Sequence, residues 1–351
     1  MERIAVEGRV AVNARFSRRR ITGVERYAHE ISARLAGDVE LLAPPEGLSG
    51  AAGHLWEQTA LPMRTRDRVL WSPCNTGPVL HRRHVVTILD VAFLDQPQNF
   101  SRRFATYYGS LLRQLAGRAR AVLVPSEFTR ERVVASFRLD PAKVHVTGAG
   151  AANQFQVVNP ADAAPHLARH QAHDSRYFLF VGSLDRRKNA SLLVRAFERA
   201  RAALPDDVEL LLAGGRGLAR VFGESDEDAI AARPRVRWLG YVSDEELPSL
   251  MARSLAVVVP SEYEGFGLPA LEGLACGALV VAANRTSLPE VVGDAGILVE
   301  PRVEDLAEVL AGVARDPDAY ASARAGAVAR ASTFSWCGAA TVTARVLSDL
   351  S

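Results

Sequence analysis

Short, uninterrupted apolar runs alternate with segments of helical periodicity along the whole chain, and this alternation constrains the fold more than any other feature. RIAVEGRVAV (3–12), VELLAP (39–44), RVLWSP (68–73), HVVTILD (84–90), AVLVPS (121–126) and KVHVTG (143–148) read as strands. GVERYAHEISARLAG (23–37) and FTRERVVASFR (128–138) read as helices between them. A polar stretch containing Ala and Pro, NPADAAPHLARHQAHDS (159–175), reads as a linker. The alternation then restarts with RYFLFVGSL, VELLLAGG, VRWLGYV, LAVVVP, LVVAAN and GILVEP, and FSWCGAATVTARVLSDL reads as a final amphipathic helix. Strands that are apolar on both faces need cover on both, so the expected class is α/β, with two doubly wound parallel sheets in tandem. Ligands of such sheets bind beyond the carboxyl ends of the strands, and two such domains facing each other would enclose a deep cleft. Chemistry is therefore sought in the turns that follow strands.

The chain has 351 residues, enough for two domains. No apolar run approaches twenty residues, and the opening residues read as a strand, not as a leader. Cys74, Cys276 and Cys337 lack metal-ligand spacing, so reduced thiols, no metal site and a cytoplasmic protein are expected. The net charge of +2 hides an asymmetry: residues 1–162 hold 22 Lys and Arg against 15 Asp and Glu, and the remainder 20 against 25. The basic half, with Arg18–Arg20, Arg82–Arg83 and Arg102–Arg103, suits an anionic substrate or the inner membrane surface, or is simply solvated. No arginine run is long enough, or mixed with enough aromatics, for nucleic acid.

The segment YEGFGLPALEGLACG (263–277) places two acids where burial is expected. It reads as a glycine-rich turn after the strand LAVVVP, then a helix with Pro269 in its first turn and Gly277 as a left-handed cap. Amides near Gly265, Phe266, Gly267 and Leu268 then favour an anion such as phosphate. Glu264 lies on the turn and Glu272 inside the helix. A buried carboxylate without a partner is costly, and a vicinal diol of a sugar or ribose would satisfy one. The alternative is that Glu272 is exposed or salt-bridged and Glu264 only a loop acid.

A second motif, FVGSLDRRKNASLLVRAF (180–197), ends a strand at Gly182, carries Arg186, Arg187 and Lys188 on a turn, and opens a helix at Asn189, a good N-cap. Cations there suit a pyrophosphate, or are solvated. TGVERY (22–27) opens the first long helix at Gly23, which either contacts phosphate or acceptor or only turns the chain. Asp90 ends the strand of VTILDVAFLDQP (86–97). In LGYVSDEELPSLM (239–251), Ser243 and Glu246 form a capping-box pattern, and the turn at Tyr241 and Val242 offers backbone groups to a nucleobase.

Taken together, VPSEYEGFGLPALEGLACGALVVAANRTSLPEVVGDAGILVEP, VGSLDRRKN, LLLAGG, LGYVSDEELPSLM, PSEFTRERV and TGVERY resemble, in order, retaining glycosyltransferases of the GT-B fold, the large family four that includes bacterial mannosyltransferases. The resemblance covers nearly the whole chain, and its paired-glutamate segment is the most specific part. It implies an acceptor-side Rossmann-like domain over 1–165, a nucleotide-sugar-binding one over 166–332, and a last helix, 333–351, packing back on the first. It further implies Glu264 on the donor sugar, Glu272 on the ribose, and the amides of Phe266, Gly267 and Leu268 on phosphate and sugar. Lys188 matches the family's phosphate-binding lysine. The arginine often found five residues before it is Ser183 here, so Arg187 would supply the second charge. Relatives often read His-Asp where this chain reads Leu89-Asp90, which removes an imidazole from the acceptor side.

The expected activity is metal-independent, retaining transfer of a hexose, mannose favoured, from a nucleoside diphosphate sugar, GDP-mannose favoured. The acceptor would be a glycan, a lipid-linked molecule or a small natural product. Glu264, Lys188 and Arg187 are the expected catalytic group. The competing expectations are a degenerate relative that only binds nucleotide-sugar, for which Leu89 speaks, and a nucleotide-sugar epimerase of the same fold.

Overall fold

The computed structural model describes residues 3–18, 21–172, 176–215 and 233–351. Arg19 and Arg20, and the end of the expected linker at 173–175, lie outside the described residues. The chain divides into two compact units, one of Met1–Pro97, Arg102–Gly150 and Ser335–Ser351, the other of Gln98–Ser101 and Ala151–Phe334.

In the first unit, β1 (Ile4–Asn13), β2 (Leu35–Leu42), β3 (Val69–Ser72), β4 (His84–Thr87), β5 (Ala121–Val124) and β6 (Val144–Val146) form one sheet in the order β2-β1-β3-β4-β5-β6, and every pairing is parallel. β3, β4 and β5 are buried at every residue, the consequence of cover on both faces. The Trp336–Ser348 helix packs on β1 and on the Gly23–Ser32 helix, with Trp336 edge-on to Tyr27 at 5.9 Å. The helix expected over 23–37 is shorter. It ends at Ser32, because Leu35 and Ala36 pair with Ile4 and Ala5 in the sheet. Gly37, at φ +111°, lies where a Cβ would sit 2.7 Å from the Val6 carbonyl, so the bulged approach of β2 to β1 requires glycine there.

In the second unit, β7 (Arg176–Val181), β8 (Val208–Ala213), β9 (Val236–Gly240), β10 (Ala256–Val259), β11 (Val280–Ala283) and β12 (Ile297–Val299) pair in parallel in the order β12-β11-β10-β7-β8-β9. The Ala190–Ala200 helix lays Leu193, Ala196, Phe197 and Ala200 against Phe178, Phe180, Leu210 and Leu212 of the sheet. The segment read as a linker is instead largely a helix, Pro160–Arg169, started by Asn159, whose side chain accepts the Ala161 amide. Its polar, Ala-rich composition hid a surface helix anchored at one face: His166 Nδ1 lies 2.8 Å from Ser249 Oγ, and Arg169 pairs with Glu246.

Each sheet reverses its strand order at one place, between β1 and β3 in the first and between β7 and β10 in the second. At such a switch point neighbouring connections leave on opposite faces, and the loops after the two strands open a crevice suited to ligands.

Candidate functional site

The switch point of the second sheet brings together the loops after β7 and β10, and with them two motifs 76 residues apart in sequence. The turn carrying Arg186, Arg187 and Lys188 is a 3₁₀ helix, capped by Asp185, whose carboxylate accepts the Lys188 amide at 3.2 Å. Ser183 Oγ donates to the same Asp185 at 2.5 Å. Asn189 precedes the following helix in a left-handed conformation, φ 58°, but does not cap it as expected. Its side-chain amide donates instead to Glu262 at 3.0 Å, tying the two loops together, as does the Glu262 amide on the Arg187 carbonyl at 3.0 Å.

Glu264 lies at the centre of this junction and is 5% exposed. Lys188 Nζ donates to its Oε1 at 2.6 Å, Ser261 Oγ to the same oxygen at 2.8 Å, and Arg187 Nη1 stands 3.6 Å from Oε2. Arg187 also donates to the Tyr263 carbonyl at 2.9 Å. Burial alone would raise the Glu264 pKa, but the charges of Lys188 and Arg187, with the hydrogen bonds from Lys188 and Ser261, bring it below the ordinary carboxylate value. The carboxylate that sequence reasoning left for a diol is therefore already ion-paired. Its main chain is held as well: the Glu264 amide donates to Thr286 Oγ1 at 3.1 Å, and Ser287 Oγ donates to the Glu264 carbonyl at 2.9 Å.

Four residues on, the Leu268–Ala275 helix begins, with Pro269 in its first turn. Gly267 has φ +103°, and a Cβ there would lie 2.8 Å from Leu288 Cδ2, so both backbone and space demand glycine. The first amides of a helix have no intrahelical acceptor and carry the positive end of its dipole. Gly273 presses the helix onto the sheet, where a Cβ would stand 3.1 Å from Val280 and 3.3 Å from Val257. The helix closes in a Schellman motif: the Gly277 amide bonds the Leu274 carbonyl at 3.0 Å and the Ala278 amide that of Gly273 at 3.0 Å, with Gly277 at φ +70°. Glu272, inside this helix, is 6% exposed, which removes the solvent-facing reading. Burial, with the Glu272 carboxylate a turn away, pushes the Cys276 thiol up to about 12. Phe266 is buried and packs edge-on against Phe334 at 5.6 Å, over which the Arg330 guanidinium stacks at 5.0 Å.

Of the other expected donor-side residues, Tyr241 and Val242 follow β9, the far edge strand of this sheet, Tyr241 exposed and Val242 buried. Ser243 takes the Glu246 amide at 3.3 Å, one half of the capping box, while the Glu246 carboxylate also reaches Arg169. In the first unit, Gly23 opens its helix behind a capping box of Thr22 and Glu25. Leu89 is buried, its amide held by Asn75 Oδ1 at 2.7 Å, and Asp90 accepts the Ala92 amide at 3.1 Å.

Sequence reasoning missed the polar network at the other switch point. Asn13 at the end of β1, Arg15 just after it, Glu57 from the Gly50–Gln58 helix and Thr76 beyond β3 are all buried together. Glu57 is fully buried and receives Arg15 Nη1 at 2.7 Å, Asn13 Nδ2 at 2.6 Å and Thr76 Oγ1 at 2.9 Å, with His54 Nδ1 at 3.4 Å. Ser72, at the end of β3, links Asn13 to the buried His84. The signal was a lone acid within the otherwise uncharged stretch HLWEQTAL. Among the described residues, no group of three His, Cys, Asp or Glu is placed to hold a metal ion, and no helix is long and apolar enough to cross a membrane.

Two parallel six-stranded sheets, each covered by helices, define a GT-B fold. HepE of Anabaena, solved with UDP and glucose, matches over 97% of this chain and 99% of its own, with a TM-score of 0.76 at 20% identity. WaaG, a glycosyltransferase involved in lipopolysaccharide biosynthesis, matches over 98% and 99%, with a TM-score of 0.74 at 16% identity. Residues 166–330 match the profile of Glycosyl transferases group 1. O-antigen chain mannosyltransferase B of Escherichia coli is 32% identical over 273 residues, 77% of this chain and 71% of that protein. The chain spans 29% of two longer Escherichia coli relatives. The chain belongs to the group 1 glycosyltransferases.

Proposed function

We propose that this glycosyltransferase moves a hexose, mannose favoured, from a nucleoside diphosphate sugar to a glycan, lipid-linked or small-molecule acceptor, with retention of configuration. The observation that carries the reading is the largely buried Lys188–Glu264–Arg187 cluster at a switch point, with Glu264 four residues before the start of the Leu268–Ala275 helix. A diphosphate seated there meets Lys188, Arg187 and the first amides of that helix, which stabilise the charge that grows as the sugar–phosphate bond breaks. Preorganised groups of this kind lower a barrier by several kcal/mol, about 2.7–4 for one donor. Glu264 then has two tasks, holding the cations in place and orienting the sugar. Glu272 is assigned the ribose hydroxyls, Ser183, Gly265, Tyr241 and Val242 the remaining donor contacts, and Gly23, Leu89 and Asp90 the acceptor side. Leu89 supplies no base. The favoured route is therefore front-face attack: the acceptor oxygen bonds the anomeric carbon as the phosphate leaves, and that phosphate takes the acceptor proton. Lys188 and Arg187 supply the positive charge at the diphosphate without a metal ion. GDP-mannose is the favoured donor because a mannosyltransferase is among the 32% identical relatives and the paired-glutamate segment resembles that group.

The test is thermal shift and slow nucleotide release with a panel that includes GDP-mannose and UDP-glucose. Stabilisation and hydrolysis of one donor, both lost in Lys188→Ala, is the expected result. No response to any nucleotide-sugar would instead favour the degenerate reading, which Leu89 already motivates.

A further inference from the structure

The segment between β11 and the Leu288–Val292 helix has no part in the chemistry proposed above, yet its geometry is unusual. Thr286 is β-branched and has φ +54°, a left-handed conformation that suits glycine or asparagine and strains a threonine. Ser287 stands at the N-cap of the next helix and is fully buried, but its hydroxyl makes no capping bond to that helix. Both hydroxyls are spent on one residue. Thr286 Oγ1 accepts the Glu264 amide at 3.1 Å, and Ser287 Oγ donates to the Glu264 carbonyl at 2.9 Å. The next residue, Leu288, fills the space that keeps position 267 a glycine, with its Cδ2 2.8 Å from where a Cβ would be. Three consecutive side chains therefore grip the turn at both ends, at Glu264 and at Gly267.

We infer that Thr286 and Ser287 are positioning residues for the transfer reaction, clamping the Glu264 peptide so that its carboxylate keeps Lys188 and Arg187 at the diphosphate. This rests on the role proposed for that cluster. The strain at Thr286 and the forgone helix cap at Ser287 have a common reason: only from this backbone do two neighbouring hydroxyls meet the amide and the carbonyl of one residue. A loop that merely connected β11 to the next helix would place glycine at 286 and let Ser287 cap.

Thr286→Gly relieves the strained φ and deletes the hydroxyl, so the strain released offsets the hydrogen bond lost, and turnover should fall without a matching fall in stability. Hydrolysis of GDP-mannose and UDP-glucose is measured for the wild type, Thr286→Gly, Thr286→Ser, Ser287→Ala and Lys188→Ala, each with its melting temperature. In Thr286→Gly, kcat should fall by about 10-fold to 100-fold, the cost of a small misplacement, with KM within about twofold and melting unchanged or higher. Ser287→Ala should lose kcat in the same way, and Thr286→Ser, which restores the hydroxyl, should recover it. Wild-type kcat in Thr286→Gly while Lys188→Ala is inactive overturns the positioning role and leaves the cluster's role standing. Parallel loss of kcat and melting temperature in both Thr286 variants overturns it in favour of a purely structural loop. Turnover of neither donor by the wild type, or full turnover by Lys188→Ala, removes the reading on which it rests.

Discussion

Removing either partner of the Arg15–Glu57 pair should destabilise the first unit far more than removing both. Arg15 and Glu57 retain 7% and 0% of their side-chain exposure, and their charges lie 2.7 Å apart. Deleting one charge leaves the other buried without compensation, which costs about 3–5 kcal/mol. In a domain of this size each kcal/mol lowers the midpoint by about 2–4 °C, so a shift of about 6–20 °C is expected for Glu57→Leu or Arg15→Met. The double variant removes the uncompensated charge, and an apolar pair of similar volume replaces an ion pair at little net cost. Two single losses of about 3–5 kcal/mol against a double loss near zero make the coupling in the cycle about 6–10 kcal/mol, well above the roughly 0.5–3 of ordinary contacts. Urea unfolding followed by tryptophan fluorescence is the assay, because Trp56, Trp71 and Trp336 belong to the first unit and Trp238 alone to the second. If the single losses simply add to within about 0.5 kcal/mol, the two side chains do not interact energetically, and the argument from burial fails.

The same network makes the unit acid-sensitive. Burial would raise the Glu57 pKa, but the His54 hydrogen bond, Arg15, Asn13 and Thr76 together lower it. The stability it supplies is present above the unfolded carboxylate value and lost as pH falls through the lower folded one, so unfolding should steepen below about pH 4, less so in Glu57→Gln. Gly267→Ala should lower the melting temperature and impair nucleotide-sugar binding together, since it strains φ +103° and meets Leu288. Gly214→Ala should fail to fold, because its Cβ would stand 1.8 Å from the Gly182 carbonyl oxygen. With its thiol buried and pushed up to about 12, Cys276 should resist iodoacetamide at pH 8 until urea is added, as mass spectrometry of labelled peptides would show.

The strands of the described residues are legible in the sequence because most are short runs rich in Val, Leu, Ile, Ala or aromatic residues, and the central ones are buried on both faces. The helix boundary at Ser32 was not, since LAG continues a helical pattern as readily as it begins a strand, and only pairing with Ile4 and Ala5 decides. The candidate site was legible in its parts: Lys188, Arg187 and Glu264 each stood out after a strand. That they neutralise one another was not, because the switch point that joins loops 76 residues apart is a property of strand order, which no local pattern encodes. Glu57 and Arg15 were overlooked for the same reason. Each is a single charge whose partner lies 42 residues away.

The placement of the last helix has a consequence for synthesis. Trp336–Ser348 covers β1, so the first unit joins a segment made before the second unit to one made after it. The second unit, Ala151–Phe334, is contiguous apart from Gln98–Ser101 and has nearly all its parts while β1 still lacks its cover. At about 5–20 residues per second, the delay between the two halves of the first unit lasts about 10 to 40 seconds. During that interval β1 presents an apolar face to solvent or to a chaperone. A stop codon just before Trp336 should therefore yield a nascent chain with a folded second unit and a first unit that aggregates or is degraded.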